Sequence, residues 1–198
     1  GEWVIEQACQ QWSQWKKQHL IPEEALMTIN VSTCQFSSQQ LLDCIRNTSS
    51  RLKMPANTLA LEISEELLNS NNKRISQTFE LLNKAGVDII MDDFGLGSTS
   101  VHSLSKYKLS AIKLEKPLLA SLSKEKNNNS LRAFSHLAHS LNVTMIAEGI
   151  DDPDQLQTLA LSGIDSYQGY SISPAICAED FEEFMSEQNK NKQKVNFF

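Results

Sequence analysis

The sequence predicts an α/β fold, a parallel sheet covered by helices, on three observations. Amphipathic helical stretches alternate with short apolar strands along the 198 residues, which is the pattern of successive βα units. The strands return about every 30 residues, the length of one such unit. Most of them also carry a polar or charged residue at or just past the C-terminal end, so that one group per unit would converge on one mouth.

The elements follow in order. Val4, Ala8, Trp12 and Trp15 share a face at helical spacing, so the chain opens in a helix, and Met27 to Ser32 (MTINVS) reads as a strand. Ser37 and Gln40 have capping-box spacing before a helix through Leu41, Leu42 and Ile45, and Pro55 separates that helix from the strand LALEIS, 59–64. Ile75, Phe79 and Leu82 form the next helical stripe, and Gly86 can take a left-handed turn before VDIIMDDFG. AIKLEKP (111–117), a helix through Leu131, Phe134, Leu137, Ala138 and Leu141, and VTMIAEGI (143–150) continue the alternation. Asp152 and Pro153 suit the cap and first position of a helix. SYQGYSIS follows Gly163, and Phe181, Phe184 and Met185 mark a closing helix. SLSKEKNNN (121–129) is expected to be a solvated loop and NKNKQKVNFF (189–198) a frayed tail, giving a domain over 1–185 and a polar tail over 186–198.

Six parallel neighbouring strands are therefore expected, at 27–32, 59–64, 87–92, 111–115, 143–148 and 166–171. A complete eight-unit barrel takes about 250 residues, so this length suits about six units. An open doubly wound sheet is the competing architecture.

Composition narrows the function. At 40% hydrophobic and 21% charged residues the chain reads as one ordinary globular domain. It has neither a continuous apolar run of about 20 residues nor a signal-like start, so this piece is expected to be soluble and cytoplasmic, with no membrane span. Cys9, Cys34, Cys44 and Cys177 lack metal-binding spacing and are expected to be reduced thiols. A net charge of −6 argues against binding polymeric nucleic acid, which clustered Lys and Arg would hold.

The strand-end residues are Asn30, Glu62, Asp92 with Asp93, Lys113, Glu148 and Gln168. Several carboxylates at one mouth repel each other and call for a cation. Oxygen donors without His or Cys suit Mg²⁺ or Mn²⁺ rather than Zn²⁺.

Six motifs at these positions resemble the EAL-domain family. INVS (29–32) resembles its VNxS, LEISE (61–65) its LEITE, and DDFGLGSTS (92–100) its DDFGTGYSS. AIKLE (111–115) is similar to LKID, AEGI (147–150) to AEGVE, and YQGY (167–170) to QGY. The likeness runs from residue 1 to about Phe181. It implies an EAL-type (β/α)8 TIM-like barrel, with an antiparallel first strand, that cuts cyclic di-GMP to linear pGpG with two Mg²⁺ or Mn²⁺ ions. By that resemblance Asn30, Glu62 and Asp92 would bind one metal, and Asp92 with Asp93 the second. Lys113 would orient water or stabilise phosphoryl charge, Glu148 would be a further acid or base, and Gln168 would hydrogen-bond beside it. Glu65 would steady the loop after DDFG. Bacterial relatives of this kind can carry sensory or GGDEF-type domains upstream.

The sequence also departs from the family pattern. The family's own EAL motif lies on a strand before the opening helix, and no match to it is present, so the barrel is expected to be incomplete at its N-terminal side. Glu24-Ala25-Leu26 spells the motif but lies just before the second motif, and Glu24 reads as a solvated turn residue. Leu96 and Ser98 stand where Thr and Tyr are usual, Glu115 replaces an Asp, and Asp151 replaces a Glu. Pro117 and Pro174 flank positions where small or basic residues are common. The expected function is a cyclic di-GMP phosphodiesterase, impaired in this piece. The alternatives are a non-catalytic cyclic di-GMP receptor and a protein-interaction module. Open sheet edges in an incomplete barrel invite pairing, so a homo-oligomer is expected.

Overall fold

The structure is a computed structural model that describes residues 1–68, 72–94, 101–122 and 129–195. Its elements in chain order are α1 (Glu2–Lys17), β1 (Met27–Asn30), α2 (Thr33–Phe36), α3 (Gln39–Leu52), β2 (Leu59–Ser64) and α4 (Glu65–Leu68). There follow α5 (Lys73–Lys84), β3 (Asp88–Phe94), α6 (Val101–Lys106), β4 (Ala111–Leu114), α7 (Lys116–Leu122) and α8 (Asn129–Ser140). The chain closes with β5 (Thr144–Ala147), α9 (Asp154–Leu161), β6 (Ser166–Tyr167) and α10 (Ala178–Val195). All six strands pair in parallel, in the order β1-β2-β3-β4-β5-β6. A doubly wound sheet reverses its strand order at a switch point, and this one does not. The sheet is a curled half-barrel.

Strand periodicity divides the side chains into two sets. Leu59, Leu61 and Ile63 of β2, Ile89 and Met91 of β3, Ile112 and Leu114 of β4, and Met145 and Ala147 of β5 are buried in the main core, which they share with the helices. The alternate positions Ala60, Ile90 and Ala111 form a separate small cluster with Ile146 packed on it. One pleat further along the strands this second face turns polar, at Glu62, Asp92, Lys113 and Glu148. An apolar floor thus underlies a charged layer at the C-terminal ends.

Local chemistry sets most boundaries. Ser32 and Gln35 make a reciprocal capping box on α2, whereas α3 is capped by Ser38, whose hydroxyl accepts from the Leu41 amide at 3.1 Å. The capping box therefore falls five residues earlier than Ser37 and Gln40. Asn72 caps α5, and the Asp152 carboxylate accepts from the Asp154 amide at 3.0 Å as α9 begins. Gly86 has a φ of 72°. At the C-terminal end of the sheet β6 spans only two residues, not 166–171, because the chain turns at Gly169 onto the backbone of Ile150: the Ser171 amide donates to the Ile150 carbonyl at 3.0 Å.

Two helical expectations need correction. The buried stripe of α1 is Ile5, Cys9 and Trp12, with Val4 exposed, so the core-facing stripe is rotated by one residue from Val4 and Ala8. The closing helix does not give way to a tail at residue 186 or 189 but continues to Val195. Residues 178–195 contain no Gly or Pro to stop it, and Glu, Gln and Lys are good helix formers. Its first half docks on α1, with Trp15 and Phe181 rings 4.4 Å apart and the Trp15 indole donating to Glu182 at 2.9 Å. Asn189 donates to the Leu20 carbonyl. Of the loop over 121–129, Ser121 and Leu122 end α7 and Asn129 begins α8, while 123–128 lie outside the described residues.

Among the described residues no helix is long and apolar enough to cross a membrane. The four thiols are free; Cys9 is buried, and burial pushes its pKa up to about 11, whereas Cys34 and Cys177 are exposed. A thiol whose folded pKa is raised adds stability that is complete below its unfolded value and is lost as pH rises through about 11. With an aromatic disulfide reagent at pH 8, Cys34 and Cys177 are expected to react promptly and Cys9 only after denaturant is added. Rapid labelling of Cys9, read by peptide mass spectrometry in the native protein, contradicts this.

Candidate active site

Parallel pairing in register builds the charged layer. Asn30 stands opposite Glu62 across β1 and β2, and Lys113 opposite Ile146 across β4 and β5. A regular strand would send Asp92 and Asp93 to opposite faces, but β3 is not regular there. Its register against β4 shifts between Met91 and Phe94, which pair with Ile112 and Leu114, so β3 carries one extra residue. Asp93 absorbs that residue in the left-handed region, at φ 57°, and its amide donates to the Asp92 carboxylate at 3.0 Å. Phe94 then stacks on Phe134, with ring centroids 5.1 Å apart. The bulge is what lets two consecutive aspartates serve one mouth.

Lys113 is the hub of the layer. It is 4% exposed, and its Nζ lies 2.6 Å from Glu148, 2.8 Å from Glu62 and 3.3 Å from Asp92. Burial by itself would lower its pKa; the contacts with Glu148 and Glu62, and the charge of Asp92, more than offset this and hold the ammonium above the usual lysine range. The group stays charged at any physiological pH.

A second grouping overlaps the first. Carboxylate oxygens of Asp92, Glu115 and Glu148 all lie within 4.8 Å of one another. The pKa of Glu115 is raised by burial, by a hydrogen bond with Asp93 and by the charges of Asp93, Glu148 and Asp92. Three carboxylates, Glu62, Asp92 and Glu148, thus surround one ammonium, and Asp93 and Glu115 adjoin them to make five acids in the cluster. Such an excess of negative oxygen donors, with no His or Cys among them, matches the chemistry of a hard divalent cation.

Beside this cluster lies an open cavity of about 360 Å³, lined by Asn30, Glu62, Ser64, Asp92 and Asp93. A second cavity of about 370 Å³ also reaches Asn30, but from the side of α1 and α3, and its only carboxylate is that of Glu2. The clustered acids Glu62, Asp92 and Asp93 line the first.

The remaining candidates are spread around the mouth. Glu65 is buried at the start of α4. Gln168 is exposed; its backbone bonds Ala147 and Ile150, and among the described residues no side-chain hydrogen bond joins it to the acids. Asp151 pairs with Lys116 at the exposed rim. Leu96 and Ser98 lie outside the described residues. Glu24 is exposed and precedes β1, at the opposite end of the strand from Asn30. The grouping of Glu115 with Asp92 and Glu148 was available in the sequence, since Glu115 follows Lys113 by one full strand period. The bulge at Asp93 had no signal there.

The chain is similar to known proteins over most of its length. It is 30% identical over 189 residues to the signaling protein YkoW of Bacillus subtilis, covering 95% of this chain and 23% of YkoW. It is 26% identical to the cyclic di-GMP phosphodiesterase PdeR of Escherichia coli, covering 92% of this chain and 27% of PdeR. The chain therefore spans about a quarter of the length of these curated relatives. Among solved structures, the MucR phosphodiesterase in complex with cyclic di-GMP, from Pseudomonas aeruginosa, superposes with a TM-score of 0.81 at 28% identity, over 91% of this chain and 72% of that one. The EAL domain of DcpA from Mycobacterium smegmatis gives a TM-score of 0.84 at 23% identity, over 94% and 84% respectively, a likeness of fold. Residues 1–175 match the family model described as EAL domain, and the chain belongs to that family.

Proposed function

We propose that this domain hydrolyses cyclic di-GMP to linear pGpG in the bacterial cytoplasm, with Mg²⁺ or Mn²⁺ at two neighbouring positions. The observation that carries this reading is the excess of carboxylates around Lys113 at the C-terminal mouth of an EAL-family sheet. Asn30, Glu62 and Asp92 are the donors assigned to one ion, and Asp92, Asp93, Glu115 and Glu148 the donors available to its neighbour. When bound, such ions polarise a phosphoryl oxygen and make water a stronger nucleophile at neutral pH.

The protein's own groups supply the rest. Lys113 carries a permanent charge that can offset negative charge growing on the phosphoryl oxygens. Glu148, in contact with that ammonium, can accept a proton from water aligned for attack. The apolar floor of Ala60, Ile90, Ala111 and Ile146 excludes water from beneath the charged layer, which strengthens each of these interactions. Gln168 and the Lys116–Asp151 pair, at the rim, are available to the parts of the substrate that do not react.

A cyclic di-GMP receptor without turnover is the second reading, and the position of Glu24 favours it: the one EAL tripeptide of this sequence sits at the wrong end of β1 to supply a donor. Chromatography of cyclic di-GMP incubated with excess Mn²⁺ separates the two readings. Linear pGpG is expected to accumulate over time. Tight binding of intact cyclic di-GMP with no pGpG from the native protein would replace the phosphodiesterase by the receptor.

A further inference from the structure

We propose that Lys113 is an internal stand-in for the divalent ions, holding the carboxylates together in their absence and competing with the ions for the same carboxylates. This rests on the metal-centre reading above and concerns how that centre fills.

The geometry is that of a buried cation site already taken by an ammonium. Three carboxylates converge on one Nζ at 2.6, 2.8 and 3.3 Å, and two of these, Asp92 and Glu148, are also members of the trio whose oxygens lie within 4.8 Å of one another. The same two carboxylates are therefore claimed by the ammonium and by a divalent ion at once. Lys113 and Glu62 are almost fully enclosed, at 5% and 7% side-chain exposure, while Asp92 and Glu148 are more open, at 19% and 16%. An ion arriving from the mouth meets the two open carboxylates first. Lys113 then keeps Glu62, at 2.8 Å, as its remaining anchor.

The arrangement has a use. Without any cation, five crowded carboxylates repel and the mouth would splay or take up protons. With Lys113 among them the donors stay gathered, at the cost of affinity, because a fixed positive charge beside the site opposes a second one. Lys113 is thus a positioning residue for the metal-free state, in addition to the phosphoryl role assigned above.

The two effects have opposite signs on metal affinity, which makes the proposal testable without turnover. Mn²⁺ binding to the 198-residue chain and to Lys113→Met is measured by titration calorimetry and by loss of the free Mn²⁺ paramagnetic resonance signal. Lys113→Met is expected to bind Mn²⁺ about tenfold more tightly, and its melting temperature is expected to rise more on adding Mn²⁺ than that of the unchanged chain. Equal or weaker Mn²⁺ binding by the folded variant would sink the competition while leaving the metal centre in place. No binding by either protein overturns the competition and the metal reading together. Because Lys113→Met strands the buried Glu62 carboxylate and can fail to fold, the comparison is repeated between Glu62→Gln and the double variant Glu62→Gln/Lys113→Met. There too removal of the ammonium must tighten Mn²⁺ binding, and failure to do so counts against the proposal.

Discussion

Asp92→Asn is expected to lower cyclic di-GMP turnover by about a hundredfold or more, with little change in fold. Asp92 lies 3.3 Å from the Lys113 ammonium and shares the carboxylate trio with Glu115 and Glu148, so with Glu148 it is one of two acids common to both groupings, and it is the one assigned above to both ions. The substitution removes its charge but keeps its Oδ1, which can still accept from the Asp93 amide and preserve the bulge. Lys113 retains Glu62 and Glu148. The loss should therefore appear in turnover and in Mn²⁺ affinity while the melting temperature stays within a few degrees. Turnover within threefold of the unchanged protein would show that Asp92 is not shared between the ions.

The second large effect is expected from Gly169→Ala. A Cβ at position 169 would fall 2.3 Å from the carbonyl oxygen of Ile150, 2.4 Å from its nitrogen and 2.7 Å from its carbonyl carbon. These are backbone atoms, which cannot rotate away as a side-chain tip does. One of the two segments must move, at a cost of about 2–3 kcal/mol, or roughly 5–10 °C in melting temperature for a chain of this size. Ile150 lies two residues after Glu148, and its amide and carbonyl bond Gln168 and Ser171, so the shift reaches the acids. Weaker Mn²⁺ binding should accompany the lost stability. A melting temperature within 2 °C of the unchanged chain would show that the loop gives way freely.

Particular residues show where sequence reading reached and where it stopped. LALEIS gave β2 to the residue, because its apolar run is bounded by Pro55 on one side and by acidic helix-starting residues on the other. The strands expected at 111–115 and 143–148 are one and two residues too long, since the polar ends that mark a site look no different from strand continuation. The once-per-unit polar groups converge because parallel pairing in sequential order leaves no other outcome, and Glu62, Asp92, Lys113 and Glu148 meet as their spacing suggests. Their assignment to particular ions is a separate matter that spacing does not address. The bulge at Asp93 was not legible, because it depends on β4 offering one residue fewer than β3. The rotation of the α1 stripe was not legible either: Val4 and Ile5 are equally apolar, and only the neighbouring core decides between them. Gly169 was read as part of a motif, but its steric role needed Ile150 from 19 positions upstream.

The docking of α10 on α1 has a mechanical consequence. Each strand is laced to a neighbour only one βα unit away, through backbone ladders that share load along their length. Glu182 instead bridges to Gln11 and Trp15 across 171 and 167 positions, through single side-chain hydrogen bonds and one pair of tilted rings. Tension applied at the two ends of the chain meets this clasp before it meets any strand. The clasp has no ladder to spread the force, so it would part first and leave the sheet, with its acids still gathered, to yield separately at higher load.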